Sequence, residues 1–169
     1  MSAHDLKNPP SSATSPRVAT PGDAAGDTES RPPAFISVTP AAVPSCYLSI
    51  VVPAYNEENR LPATLARLDE YLTARDLTFE LIVVDDGSHD STREVVRDFM
   101  DGRPWARLAQ YDDEHGKPVN RGKGFAVRQG VLAAVGRDIL FSDADLSTPI
   151  EEMEKLLPPI ACGEYDITI

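Results

Sequence analysis

Asp143 and Asp145 stand two residues apart, directly after the apolar run Ile139-Leu140-Phe141 and Ser142. In extended backbone, residues two apart face the same side, so both carboxylates can meet one ligand. Hard anionic oxygens in that pattern suit Mg²⁺ or Mn²⁺ beside a phosphate group. The run before them reads as a covered strand. After them, Thr148 precedes Glu151 by three residues, with Pro149 at the first helical position. That spacing predicts a capped helix over 149–157, closed by Pro158-Pro159.

Two further apolar runs end on polar residues. Leu48 to Pro53 closes on Ala54-Tyr55-Asn56-Glu57, and Phe79 to Val84 closes on Asp85-Asp86-Gly87-Ser88. Each ending alone is compatible with a plain turn or helix cap. Ligands of open parallel sheets sit outside the carboxyl ends of the strands. Three such endings on one sheet therefore point to a site.

The intervening segments supply helices. Asn56 is expected to cap the first, with Glu57 and Glu58 in its first turn and Leu61, Leu65, Leu68 and Leu72 on one face. Ser91 with Glu94 predicts a second capping box, followed by the apolar positions Val95, Val96, Phe99 and Met100. Arg107 to Gln110 is a weaker strand, 111–121 a polar loop, and 124–135 a helix stopped by Gly136. Tyr165 to Ile169 reads as a last strand. The alternation of strands and helices predicts an α/β fold: a mostly parallel sheet with helices on both faces. Ending on an uncovered apolar strand would leave an exposed edge, so the sequence is expected to be a piece of a longer protein.

Composition bounds the rest. The chain has 169 residues and 41% hydrophobic content, enough for one domain with a core. Residues 1–45 are rich in Pro, Ser and Ala and are expected to form a disordered tail ahead of a domain over 46–169. The first residues lack a basic segment followed by an apolar core, so no secretory leader is expected there, and no run in the sequence reaches membrane-spanning length. The formal net charge is −11; three basic and four acidic side chains precede Cys46, so the negative balance lies in the domain. That disfavours nonspecific nucleic-acid binding, which needs basic side chains to neutralise phosphates. Cys46 and Cys162 lack metal-ligand spacing and predict free thiols in a reducing, cytoplasmic compartment. His89 and His115 are expected in exposed loops, Trp105 and Phe125 in packing positions, and Asp112-Asp113-Glu114 in a solvated loop. The turn after the first strand has no glycine, which excludes a dinucleotide-binding Gly-x-Gly-x-x-Gly turn, and Lys117 and Gly124 break a phosphate-binding-loop spacing around Lys123.

From Leu48 onward the sequence resembles the nucleotide-binding half of the family-2 glycosyltransferases, which have the GT-A fold. The matching pieces are Val51-Val52-Pro53-Ala54-Tyr55-Asn56-Glu57-Glu58, Val83-Val84-Asp85-Asp86-Gly87-Ser88 with Asp90 and Thr92, and Asp143-Ala144-Asp145. The stretch from Asn120 to Gly130, with Leu140 to Glu152, is similar to the dolichyl- and polyprenyl-phosphate glucosyltransferase branch. The resemblance implies an inverting, metal-dependent transfer of a hexose from a nucleotide sugar to a polyprenyl phosphate. UDP-glucose is the donor it favours, although GDP-mannose enzymes share these motifs. It implies that Pro53, Tyr55, Glu57 and Val84 line the nucleoside pocket and that Asp86 accepts a hydrogen bond from the base. Lys123 would sit near the diphosphate or base, Asp143 and Ala144 would contact ribose and sugar, and Asp145 would ligate Mg²⁺ or Mn²⁺, with Asp143 as its partner. A lipid acceptor would bring peripheral association with the inner face of a membrane. The acceptor side would lie beyond Ile169; the alternatives are a fragment that binds nucleotide and metal without transfer, or a family-2 glycosyltransferase that uses GDP-mannose or a non-lipid acceptor.

Overall fold

A computed structural model describes residues 35–38 and 46–169. Five strands form one sheet: β1 (Phe35–Val38), β2 (Leu48–Ala54), β3 (Phe79–Asp85), β4 (Ala106–Tyr111) and β5 (Asp138–Phe141). Their spatial order is β1-β4-β3-β2-β5. The four strands β2 to β5 are mutually parallel where they pair, and β1 adds antiparallel to β4. The chain steps outward from β2 to β3 to β4, then returns across β2 to lay down β5. The strand order thus reverses between β2 and β5.

Helices cover both faces. On one face α1 (Leu61–Thr73) and α2 (Thr92–Met100) bury Leu61, Leu65, Leu68 and Val96 against Leu48, Ile50, Val52, Leu81 and Val83. On the other, α3 (Lys123–Ala133) packs on Val51, Ile82 and Val84 through Ala126. Burial on both faces explains why β2 and β3 lack alternation and are mostly apolar, with Ser49 and Glu80 as buried polar exceptions. Contact with α3 is close: a Cβ on Gly130 would lie 2.2 Å from Cγ1 of Val51. A 3₁₀ turn (Ile150–Glu152) leads into α4 (Met153–Ala161).

Several expectations are corrected. The 1–45 stretch contributes β1, because its one apolar patch adds to the open edge of β4; the rest of that stretch lies outside the described residues. The covered strand before Asp143 is an edge strand, β5. Its Leu140 packs toward the α1 side, while Ile139 (41% exposed) and Phe141 (53%) are bare, since α3 packs on β2 and β3. Residues 165–169 form no strand: Tyr165, Ile167 and Ile169 are exposed, and Thr168 donates to the Leu156 carbonyl at 3.0 Å instead of joining a ladder. A β-branched pattern supplies no partner edge by itself. Helix α4 continues through Pro158 and Pro159. The carbonyls four residues earlier, which lose their donors, belong to exposed residues Glu154 and Lys155, where water can serve.

None of the three predicted caps forms. Groups around these positions bond to partners distant in sequence instead. Asn56, at φ 55°, receives the His89 amide, Ser91 donates its amide to Glu58, and Glu151 pairs with Arg67.

Candidate functional site

An open cleft of about 320 Å³ lies at the carboxyl ends of β2 and β5, where the strand order reverses. That size is at the small end for small-molecule clefts. Pro53, Tyr55, Glu57, Asp86, Lys123, Asp143, Ala144 and Asp145 all line it. Val84 does not: it is fully buried beneath α3, and its place in the strand's alternation turns it toward the second core. Ala54, Asn120 and Gly122 line the cleft without having been singled out as ligands. Their pointer in the sequence is position, beside Pro53 or just ahead of Lys123 at the start of a helix.

The β2 end is stitched to the β3–α2 loop. Asn56 donates its amide to Ser88 Oγ at 2.9 Å, Glu57 to Thr92 Oγ1 at 2.8 Å, and Glu58 to Asp90 Oδ2 at 3.1 Å. Asp90 also accepts from the amide and hydroxyl of Thr92 at 3.0 and 2.5 Å. Burial pushes the Asp90 carboxyl up, but the Thr92 and Glu58 donors outweigh it and hold the group below its ordinary value. Gly87, at φ 76°, allows the Val119–Asn120 backbone to cross it: an added Cβ would lie 2.3 Å from the Val119 carbonyl carbon.

Asp86 is 3% exposed. Three protein donors converge on it: the hydroxyl of Tyr111 and the amides of Arg121 and Gly122, the latter two at 2.8 Å. A carboxylate offers about four lone-pair sites. About one is left to face the cleft. Beneath it, the fully buried Asp85 accepts Arg93 Nε at 2.5 Å, and Arg93 Nη2 reaches Asp112 at 2.9 Å. These bonds fix where the 111–122 loop delivers Asn120 and Lys123.

The acidic motif is held from two sides. Thr64 of α1 donates its hydroxyl to the Ala144 carbonyl at 2.6 Å, and Leu146 turns the chain at φ 49°. Asp145 Oδ1 accepts the Ser147 amide at 3.0 Å and its hydroxyl at 2.7 Å. The Ser147 hydroxyl, then its amide, lowers the Asp145 carboxyl below its ordinary value. Asp143 Oδ1 receives Lys123 Nζ at 2.7 Å. A cation is thus already drawn to the motif. Two carboxylates on one cleft wall, each with an oxygen that accepts no protein hydrogen bond among the described residues, fit a hard divalent ion completed by phosphate oxygens. No group of three or more His, Cys, Asp or Glu among the described residues is arranged to hold a metal alone.

Residues 49–169 match the family model described as Glycosyl transferase family 2. A dolichyl-phosphate beta-glucosyltransferase from Trichomonas vaginalis is 43% identical over 117 residues, 66% of this chain and 34% of that protein. One from Drosophila melanogaster is 42% identical over 120 residues, 67% of this chain and 35% of that protein. Glucosyl-3-phosphoglycerate synthase from Mycobacterium tuberculosis, solved with Mn²⁺, UDP and glucosyl-3-phosphoglycerate, is 29% identical with a TM-score of 0.51, covering 68% of this chain and 39% of that one. The chain spans about a third of the length of the curated relatives it matches. It belongs to glycosyltransferase family 2, and its sheet with flanking helices is the GT-A arrangement.

Proposed function

From that membership we propose that the cleft binds UDP-glucose with Mg²⁺ or Mn²⁺, and that the protein transfers glucose to a polyprenyl or dolichyl phosphate. The observation that carries the reading is the convergence of Tyr55, Glu57, Asp86, Lys123, Asp143 and Asp145 on one cleft at the reversal of strand order. The two relatives named dolichyl-phosphate beta-glucosyltransferase favour the sugar and the acceptor.

Each residue has a part in the proposed chemistry. Pro53 and the exposed ring of Tyr55 form an apolar wall for the nucleoside, and Asp86 offers its remaining lone pair to a base N–H. Asp143 and Asp145 hold the divalent ion, with Ala144 beside ribose or sugar. When bound, that ion supplies Lewis-acid stabilisation of charge on the leaving nucleoside diphosphate. Lys123 adds a second positive charge on the cleft. The bond from the anomeric carbon to the diphosphate breaks as the bond to the acceptor oxygen forms, with inversion. A phosphate acceptor has its second pKa near ~6 and is an oxyanion at neutral pH, so this chain need not supply a general base. A lipid acceptor brings the protein to the cytoplasmic face of a membrane as a peripheral protein. No helix among the described residues is long and apolar enough to cross one.

Calorimetric titration of UDP-glucose with and without Mn²⁺ tests the donor site, with GDP-mannose as the competing donor. Mn²⁺ is expected to tighten UDP-glucose binding by about tenfold, ~1.4 kcal/mol, in the wild type and to have no effect in Asp145→Ala. Equal Mn²⁺ dependence in the variant sinks the assignment of Asp145. Tighter binding of GDP-mannose replaces the donor.

A further inference from the structure

Helix α1 presents an apolar stripe to the core, and Thr64 interrupts it. Thr64 is 5% exposed among Leu61, Leu65 and Leu68. A buried hydroxyl must find an acceptor, and a helical threonine has one at hand in the carbonyl four residues back. Thr64 bonds instead across 80 residues of sequence, to the Ala144 carbonyl at 2.6 Å. Ala144 is 7% exposed and belongs to the same core. Among the described residues, no other donor reaches that carbonyl.

The position matters because Ala144 is the hinge between two carboxylates. Asp143 and Asp145 flank it and both line the cleft. The chain reverses just beyond, where Leu146 donates its amide to the Asp143 carbonyl at 3.1 Å with φ 49°. A turn of that kind sets the angle between its side chains through its central peptide. The same helix is tied to the segment after the motif: Arg67 pairs with Glu151, Tyr71 donates to Glu154 at 3.1 Å, and Arg75 pairs with Glu154. The two ion pairs are largely exposed and worth little individually, and the Tyr71 bond is only partly buried. The Thr64 bond is the buried one.

We infer that Thr64 is a positioning residue, whose hydroxyl holds the Ala144 carbonyl so that the Asp143 and Asp145 carboxylates share one divalent cation. Thr64 is not among the residues that line the cleft. It acts on the spacing of the two acids, and so on the cation-dependent part of nucleotide binding alone. The inference rests on the proposed cation role of Asp143 and Asp145.

The test measures UDP binding to the full 169-residue chain by calorimetry, with and without Mn²⁺, in wild type, Thr64→Val, Thr64→Ser and Asp145→Ala. Thr64→Val keeps the shape and removes the donor. It is expected to lose most of the Mn²⁺-dependent tightening, about tenfold, while metal-free UDP affinity stays within about twofold. Thr64→Ser, which keeps the hydroxyl, is expected to retain the wild-type tightening. A role in folding alone would lower the melting temperature of Thr64→Val without separating the two affinities. Should Thr64→Val not fold, Thr64→Ala takes its place, since it removes the hydroxyl without setting a methyl group against the Ala144 carbonyl. Wild-type tightening in whichever of these variants folds, with tightening lost in Asp145→Ala, overturns the role of Thr64 and leaves the cation site standing. Tightening retained in Asp145→Ala, or absent from the wild type, overturns the cation reading and the role of Thr64 with it.

Discussion

Tyr111, the last residue of β4, gives its hydroxyl to Asp86, the residue just past β3. Both side chains are buried. Burial first, and the Asp86 carboxylate second, push the Tyr111 hydroxyl well above the ordinary tyrosine range, so it stays a donor throughout the working pH range. The same carboxylate takes the Arg121 and Gly122 amides. One side chain therefore joins two strands, the loop between β4 and α3, and the cleft wall.

Removing the donor and removing the acceptor should have unequal effects. Tyr111→Phe leaves Asp86 with two amide donors and is expected to lose about 1–2 kcal/mol in urea unfolding. Asp86→Ala strands a buried hydroxyl and two amides. It is expected to lose more, and to bind uridine nucleotides more weakly because Asn120 and Lys123 are no longer held. Asp86→Ala binding every nucleotide as tightly as wild type would exclude a base contact, and a stability loss no larger than that of Tyr111→Phe would exclude the clamp.

Which parts of this site are legible in the sequence follows from how local their causes are. Buried β-branched runs announced β2 and β3, and of the residues closing them Tyr55, Glu57 and Asp86 line one cleft with Asp143 and Asp145. The caps expected at Asn56, Ser91 and Thr148 do not form; a local spacing cannot show that the distant His89 amide will take the Asn56 side chain, or that Arg67 will take Glu151. Val84 shows a related limit. It pairs with Pro53 and stands two residues before Asp86, so the three share a face; α3 covers Val84, and the cleft takes the other two. Residues 35–38 and 165–169 are both short apolar segments; the first pairs with an open edge and the second does not. Thr64 had one trace, a polar position within an apolar helical stripe.

Gly130 should be intolerant of any side chain. An added Cβ meets Val51 Cγ1 at 2.2 Å and Val84 Cγ2 at 3.0 Å, both in the packed sheet face. Gly130→Ala gains in helix propensity, but overpacking costs about 1–3 kcal/mol and should win. Helix α3 must shift outward, carrying Lys123 at its first turn. Thermal unfolding is expected to show a lower midpoint, and an unchanged or raised midpoint refutes close contact between α3 and β2.

Asp90 gives a pH-dependent test of the stitched loops. Its folded-state carboxyl lies below its ordinary value, since the Thr92 and Glu58 donors outweigh burial. The unfolded chain therefore binds the proton more readily. The stabilisation from this group is fully present above the ordinary aspartate range, near ~3.9, and is lost as pH falls through that range toward the folded value. Asp90→Asn keeps one acceptor oxygen but removes the charge and faces the Glu58 amide with another donor. At pH 7 it is expected to be less stable than wild type by about 1–2 kcal/mol. Urea unfolding of the two proteins from pH 7 down to about pH 3 should show that gap narrowing below roughly pH 4. A gap of constant size across the series would mean that Asp90 is not held ionised by these donors, and that the Tyr55–Glu58 segment is anchored without its charge.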